Sequence, residues 1–167
     1  MNHLSTFRPL ATLALCVTMA ASAAEPGAPS VTAESPMILC TVMEKLGRDM
    51  QSVTGAISSE DWERVATLAP EIAAHAEPPA SEKMRILAWL GADAGKFRGF
   101  DGQVHDAAVA MGAAAKRGDG KAVIAAFSET QQGCLACHER FRHAFVKHFG
   151  RCPGPGALQR QIEETRS

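Results

Sequence analysis

Tyrosine is absent from the chain, tryptophan occurs only at positions 62 and 89, and aromatic residues make up 5% of the 167 positions. β-Branched residues are thin as well, so an extensive sheet has little to be built from. An excess of one charge is also missing, with 17 basic side chains against 18 acidic ones and a formal net charge of −1. That balance gives no basic field for nucleic acid and no polybasic patch for a membrane surface. A permanent membrane span needs about 20 apolar residues, and the apolar run from Leu10 to Ala21 falls short of it. What is present is alanine in quantity, in a chain that is 46% hydrophobic and 21% charged. The composition predicts a soluble, helical protein with one ordinary core.

The first residues read as an export segment. Arg8 is the only charge before the apolar run, and the run ends in Ala21, Ser22, Ala23 and Ala24, a small-residue cleavage pattern. Residues 1–24 are therefore expected to be a signal peptide cut after Ala23 or Ala24, and residues 25–35 a linker. A buried N-terminal helix fits less well, because Glu25, Pro26 and Gly27 follow at once; a lipoprotein reading at Cys16 meets bulky Leu15 where a small residue belongs. Export implies a periplasmic protein with no stable membrane anchor.

Five cysteines are present, and four remain after the export segment: Cys40, Cys134, Cys137 and Cys152. Cys134, Leu135, Ala136, Cys137 and His138 form C-x-x-C-H, the pattern of c-type haem attachment. Two thiols one helical turn apart can each add to a vinyl group of one porphyrin, and the next residue can offer a ring nitrogen to the iron. One covalent haem c is expected at Cys134 and Cys137, with His138 as axial ligand. Two other chemistries use such residues. A thioredoxin-like thiol pair sits in a strand–helix unit, and no strand pattern precedes Cys134. Structural zinc usually recruits two Cys/His pairs, not one triplet.

Caps and apolar period predict four main helices. Ser35 and Pro36 open the first, where Leu39, Met43, Leu46, Met50, Val53 and Ile57 recur in alternating steps of four and three over about 36–57. Ser58 is expected to cap the second, which buries Trp62, Val65, Leu68 (or Ala69) and Ile72, carries Pro70 as a candidate kink, and stops at Glu77, Pro78 and Pro79. A connection over 77–99 holds a short helix near 81–90. The third helix runs over about 100–117, with Val104, Ala108, Met111 and Ala115 inward and Gly118 after its end. Asp119 caps the fourth, whose Val123, Phe127, Thr130, Cys134, Cys137, Phe141 and Phe145 share a face up to His148 or Phe149. The fold expected is all-α, an antiparallel up-down-up-down four-helix bundle over 36–149, with 150–167 as a C-terminal tail.

That topology brings the start of helix one and the end of helix four to the same end of the bundle. Cys40 and Cys152 lie there, so a disulfide between them is reasonable in an exported protein, although two separate free thiols would also fit the sequence. The second axial ligand is less constrained. No methionine follows His138, the last being Met111, so a thioether ligand must come from upstream. Met43 and Met50 share the helix-one stripe, and either could be a ligand or a core filler. His143 is five residues from His138 and cannot face the same iron. His75, His105 and His148 read as surface or rim residues, and nothing in their spacing supports a second histidine ligand.

The C-terminal half, from Ala113 through Phe127 to Cys134, Cys137, His138, Phe141 and Arg142, resembles the cytochrome c′ family, the class II c-type cytochromes. The resemblance covers about residues 36–149. C-x-x-C-H occurs on unrelated folds, whereas C-x-x-C-H-x-x-[FY]-R at the end of a helical chain is much more specific. In that family a distal position lies four residues before a glycine, which a methionine follows three residues later. Gly47 and Met50 supply the frame, so the resemblance makes Met43 the distal position and implies the low-spin, cytochrome c-556-like branch with His138 and Met43 on the iron. Arg142 matches the family's arginine after the haem motif and is a candidate hydrogen-bond donor near the proximal side, a solvated cation on the helix surface being the alternative. Leu39 stands where many members carry an arginine near a haem propionate, so that contact is not implied here.

The function expected is a periplasmic one-electron carrier, not an enzyme, since no acid/base pair suggests catalysis. The alternative is a five-coordinate, high-spin cytochrome c′ that binds small gases such as nitric oxide or carbon monoxide. A redox protein is the partner expected of a carrier, and the family also implies a possible homodimer.

Overall fold

The computed structural model describes residues 37–154. The expected signal peptide, the linker, Cys16, the Ser35–Pro36 cap and the tail beyond Gly154 lie outside those residues. Within them the elements are all helical: α1 (Ile38–Ser58), α2 (Trp62–Ala73), α3 (Ala80–Leu90), a 3₁₀ turn (Gly91–Asp93), α4 (Ala94–Lys116), α5 (Gly120–Cys137), a π-helical segment (His138–Arg142) and α6 (His143–Phe149). The last three run on as one composite helix. Together with α1, α2 and α4 it makes a four-helix bundle, with α3 in the link between α2 and α4. None of the described helices is long and apolar enough to cross a membrane.

Local chemistry sets the boundaries. Asp61, not Ser58, caps α2, its carboxylate accepting from Arg64 N at 2.9 Å. Ser58 is still inside α1, where its hydroxyl donates to Thr54 O at 2.9 Å and is turned away from the next helix. Asp119 caps α5 as expected, accepting from Ala122 N at 3.1 Å. Gly118 at φ +68° makes the left-handed turn between α4 and α5 that a side chain would disfavour. Pro70 neither breaks nor ends α2. It is exposed, and the helix finishes one residue after Ile72 at Ala73.

The connection before α4 is shorter than expected, because α4 begins at Ala94 rather than near 100. Gly95, Gly99 and Gly102 weaken helix propensity, yet Phe97 and Phe100 between them pack on Phe141 with ring centroids 5.6 and 6.2 Å apart in edge-to-face geometry. Tertiary packing overrides local preference there.

Two apolar clusters fill the molecule. The lower one joins Met50, Val53 and Ala56 of α1 to Val65, Leu68 and Ile72 of α2, Val104, Ala108 and Met111 of α4, and Val123 and Ala126 of α5. The upper one joins Met37 and Cys40 to Ile86, Leu90 and Phe141, with Phe97, Phe100, Phe145, Phe149 and Trp89 around them. Two glycines set close approaches in the lower cluster. A Cβ on Gly120 would stand 2.8 Å from the Trp62 ring, and one on Gly133 would stand 2.8 Å from Val104 Cγ2.

The expected α1 stripe is seated only in part. Met50 and Val53 are buried, Leu39, Leu46 and Ile57 are half-buried, and Met43 is 37% exposed. Cys40, Val42 and Ala56 are buried off that stripe. The upper half of α1 is held by contacts that a heptad does not encode.

Candidate haem site

Cys134 and Cys137 close α5 and are both free thiols, three residues apart on one face of the helix. Gly133 lets this turn of α5 lie against α4. His138 opens the π-helical segment, whose single widened turn changes the register between the motif and α6. Such local insertions are frequent at functional sites. Phe141 of the same segment is buried between Phe97 and Phe100 and anchors the turn.

The two cysteines straddle the gap between the clusters. Cys134 packs against the lower cluster and Cys137 against the upper one. On α1 the same split occurs one residue to either side of Met43 along the stripe, with Leu39 on the upper cluster and Leu46 on the lower. Met43 belongs to neither and is exposed. The two thiols of α5 and the two residues flanking Met43 on α1 thus divide between the same two clusters.

The electrostatics argue against a reactive redox pair. Burial raises the Cys134 thiol above its ordinary value, and burial with the Asp101 and Cys134 charges pushes Cys137 up to about 11. Reactive or metal-binding thiols instead have lowered values. Among the described residues no three His, Cys, Asp or Glu side chains converge as a metal-ion site. Partial burial, then the Arg142 charge, lowers the His138 pKa and favours its neutral, lone-pair-bearing ring. A C-x-x-C-H turn with two free thiols, a neutral imidazole and a break in the apolar core is a donor set that suits haem c.

The other histidines are engaged elsewhere. His75 has Nδ1 3.1 Å from Ile72 O and Nε2 3.3 Å from Asp101 Oδ1. His105 Nδ1 lies 2.9 Å from Ala73 O. Both tie the end of α2 to α4, His75 through Asp101 and His105 through Ala73 O. His143 and His148 are exposed, with His148 stacked on Trp89 at 5.9 Å.

Cys40 and Cys152 are joined by a disulfide, with Cα atoms 5.5 Å apart. Three residues that the sequence did not single out also shape the site. Glu82 of α3 accepts from the backbone N–H groups of Ile38 and Leu39 at 2.8 and 2.7 Å, capping α1 from a distance of more than 40 positions in sequence. Arg140, in the π segment, pairs with Asp93 at 2.8 Å and lies 5.7 Å over the Phe141 ring. Asp101 faces both His75 and, through its charge, Cys137. None of these has a local sequence signature, because each pairs elements far apart in the chain.

A comparison with curated proteins gives no match. The family model for cytochrome c′ matches residues 40–142, from the disulfide cysteine of α1 to the arginine that ends the π segment. The chain belongs to the cytochrome c′ family of haem-binding electron carriers and gas binders, whose members are generally periplasmic.

Proposed function

We propose that the chain is an exported one-electron carrier with a single haem c, bound covalently through Cys134 and Cys137 and ligated by His138 and Met43. What supports this reading is that the thiols of α5 and the residues flanking Met43 on α1 divide between the same two apolar clusters. The haem, when bound, supplies the one-electron couple, and thioether ligation tends to raise its potential.

The protein's own residues then have separable tasks. Cys134 and Cys137 fix the group to α5, and the buried Phe141 holds the turn that carries His138. Neutral His138 offers its ring nitrogen, and Arg142, one turn further on, adds a positive charge on that side. Met43 closes the opposite side, so coordination is the same in both oxidation states and little must reorganise. The partner would be another redox protein, and self-association into a dimer is compatible with the exposed helical faces.

The exposure of Met43 favours a second reading, in which it only packs over an open distal face and the protein binds small gases. Absorption spectra of the haem-loaded protein, oxidised and reduced, with and without carbon monoxide, separate the two. A sharp low-spin α-band indifferent to carbon monoxide, converted by Met43→Ala into a ligand-binding spectrum, is the expected result. A broad high-spin spectrum that shifts promptly with carbon monoxide would put Met43 off the iron and make gas binding the function.

A further inference from the structure

Met43 sits between two anchors and is held by neither cluster directly. Below it, Met50, Val53 and Ala56 seat α1 in the lower core. Above it, three devices converge on the first turn. Cys40 is bonded to Cys152, which follows the end of α6. The Glu82 carboxylate receives the free N–H groups of Ile38 and Leu39, a charge-assisted cap on the positive end of the helix. Met37 and Cys40 are buried among Ile86, Leu90 and Phe141. Between the anchors Thr41, Met43, Gly47 and Arg48 are exposed while Val42 is buried, and α1 meets α5 over only a short stretch.

Residues three apart on a helix are neighbours on adjacent turns, so Cys40 stands beside Met43. The chain partner of Cys40 is reached directly from the helix that carries the C-x-x-C-H motif: α6 ends at Phe149, and Gly150, with φ +89°, turns the chain before Arg151 and Cys152. The bond thus joins the turn above the distal position to the continuation of the helix that carries His138.

We propose that the Cys40–Cys152 bond and Glu82 form a positioning clamp that sets the distance of Met43 from the haem face and keeps the distal side closed. This rests on the reading of Met43 as the distal ligand. Opening the bond removes the one covalent hold on the upper half of α1 and leaves it to Glu82 and the burial of Met37, and Met43 then spends more time away from the iron. The apparent affinity for an external ligand rises in proportion to that open fraction. Opening requires a dithiol, which gives up two electrons and two protons, closes its own disulfide and leaves two protein thiols.

The test uses the haem-loaded protein in three forms: untreated; treated with dithiothreitol and capped with N-ethylmaleimide; and the double variant Cys40→Ala/Cys152→Ala. Carbon monoxide affinity is measured in the reduced state and the thioether-to-iron charge-transfer band in the reoxidised state. The expected result is a rise in carbon monoxide affinity of at least about tenfold, with a weakened band, in both opened forms. Glu82→Gln should show a smaller change of the same sign. Met43→Ala should bind carbon monoxide with or without the bond, because nothing remains to be positioned.

If Met43→Ala opens the distal side while both opened forms keep the parent affinity and band, the clamp is overturned and the ligand assignment stands. If Met43→Ala itself leaves the low-spin spectrum unchanged, the ligand assignment falls and the clamp falls with it. Should the double variant fail to accumulate with haem, the dithiol-treated folded protein and Glu82→Gln give the same readout. A lower melting temperature without a change in ligand binding counts against positioning.

Discussion

Gly133 meets Val104 where α5 crosses α4: a Cβ on Gly133 would lie 2.8 Å from Val104 Cγ2, with the Val104 backbone nitrogen at 3.6 Å. Val104 is buried and has a short, branched side chain that cannot swing away. The close approach therefore belongs to the backbone packing of two helices, one residue before Cys134. Gly133→Ala forces the turn that bears Cys134 away from α4. Overpacking of this kind costs about 1–3 kcal/mol, more than the ~1 kcal/mol that alanine gains over glycine in a helix. Gly55→Ala is the control, since Gly55 is exposed in α1 with nothing within 4 Å of a Cβ. Denaturant unfolding of the two variants should move in opposite directions, Gly133→Ala down and Gly55→Ala up by up to about 1 kcal/mol. Equal stabilisation by both would show that the helices separate freely at Val104.

The disulfide predicts a second, independent behaviour. It encloses a separation of 112 residues, and a crosslink across a loop of about 100 residues contributes up to roughly 4–5 kcal/mol by restricting the unfolded chain. Mass measurement should show a gain of two hydrogens on reduction. Alkylation of the untreated denatured apoprotein should label Cys134 and Cys137 but not Cys40 or Cys152. Labelling of all four would remove the bond, and the unfolding midpoint should fall on reduction.

Glu82 gives a third. Its two hydrogen bonds satisfy donors that α1 would otherwise leave open, because Met37 at the cap position has no side-chain acceptor. Loss of a cap costs about 0.5–2 kcal/mol, so Glu82→Ala should destabilise within that range. Hydrogen exchange should accelerate first at Ile38 and Leu39. Glu77→Ala serves as the comparison, because Glu77 is exposed and pairs with Lys83 on the surface; it should change stability little.

The sequence made the bundle, the haem motif and the Cys40–Cys152 pairing legible because each is encoded locally or by topology. Helical period placed Val104, Ala108 and Met111 inward, and all three are buried. Asp119 and Gly118 marked a boundary through chemistry that acts within a few residues. What the sequence hid was long-range or masked by composition. Glu82 caps a helix more than 40 positions away, and no local pattern announces it. The start of α4 was concealed by Gly95 and Gly99, whose weak propensity is overcome by Phe97 and Phe100 packing on Phe141. Ser58 read as a cap because its residue type suits one, but its hydroxyl bonds back to Thr54 instead.

The last prediction concerns pH. A hydrogen bond from His75 to Asp101, opposed by burial and helped by the Ile72 carbonyl and the Asp101 and Glu77 charges, raises His75 above the usual 6.5. Asp101 is lowered below the usual 3.8 chiefly by the same hydrogen bond, with the His75, His105 and Lys83 charges adding to it. A raised histidine contributes stability that is complete below its unfolded value and is lost as pH rises through the folded one. A lowered aspartate contributes stability that is present above its unfolded value and is lost as pH falls through the folded one. The pair is therefore most stabilising between those two ordinary values, 3.8 and 6.5. Asp101 is 58% exposed, which limits the coupling to about 1 kcal/mol or less. A double-mutant cycle with His75→Gln and Asp101→Asn, followed by urea unfolding of the haem-loaded protein, should give its largest coupling near pH 5 to 6 and a smaller one at pH 8. A coupling that is flat across this span would mean that the His75–Asp101 pair does not titrate with folding, leaving the His105 bond to Ala73 O as the polar tie between α2 and α4.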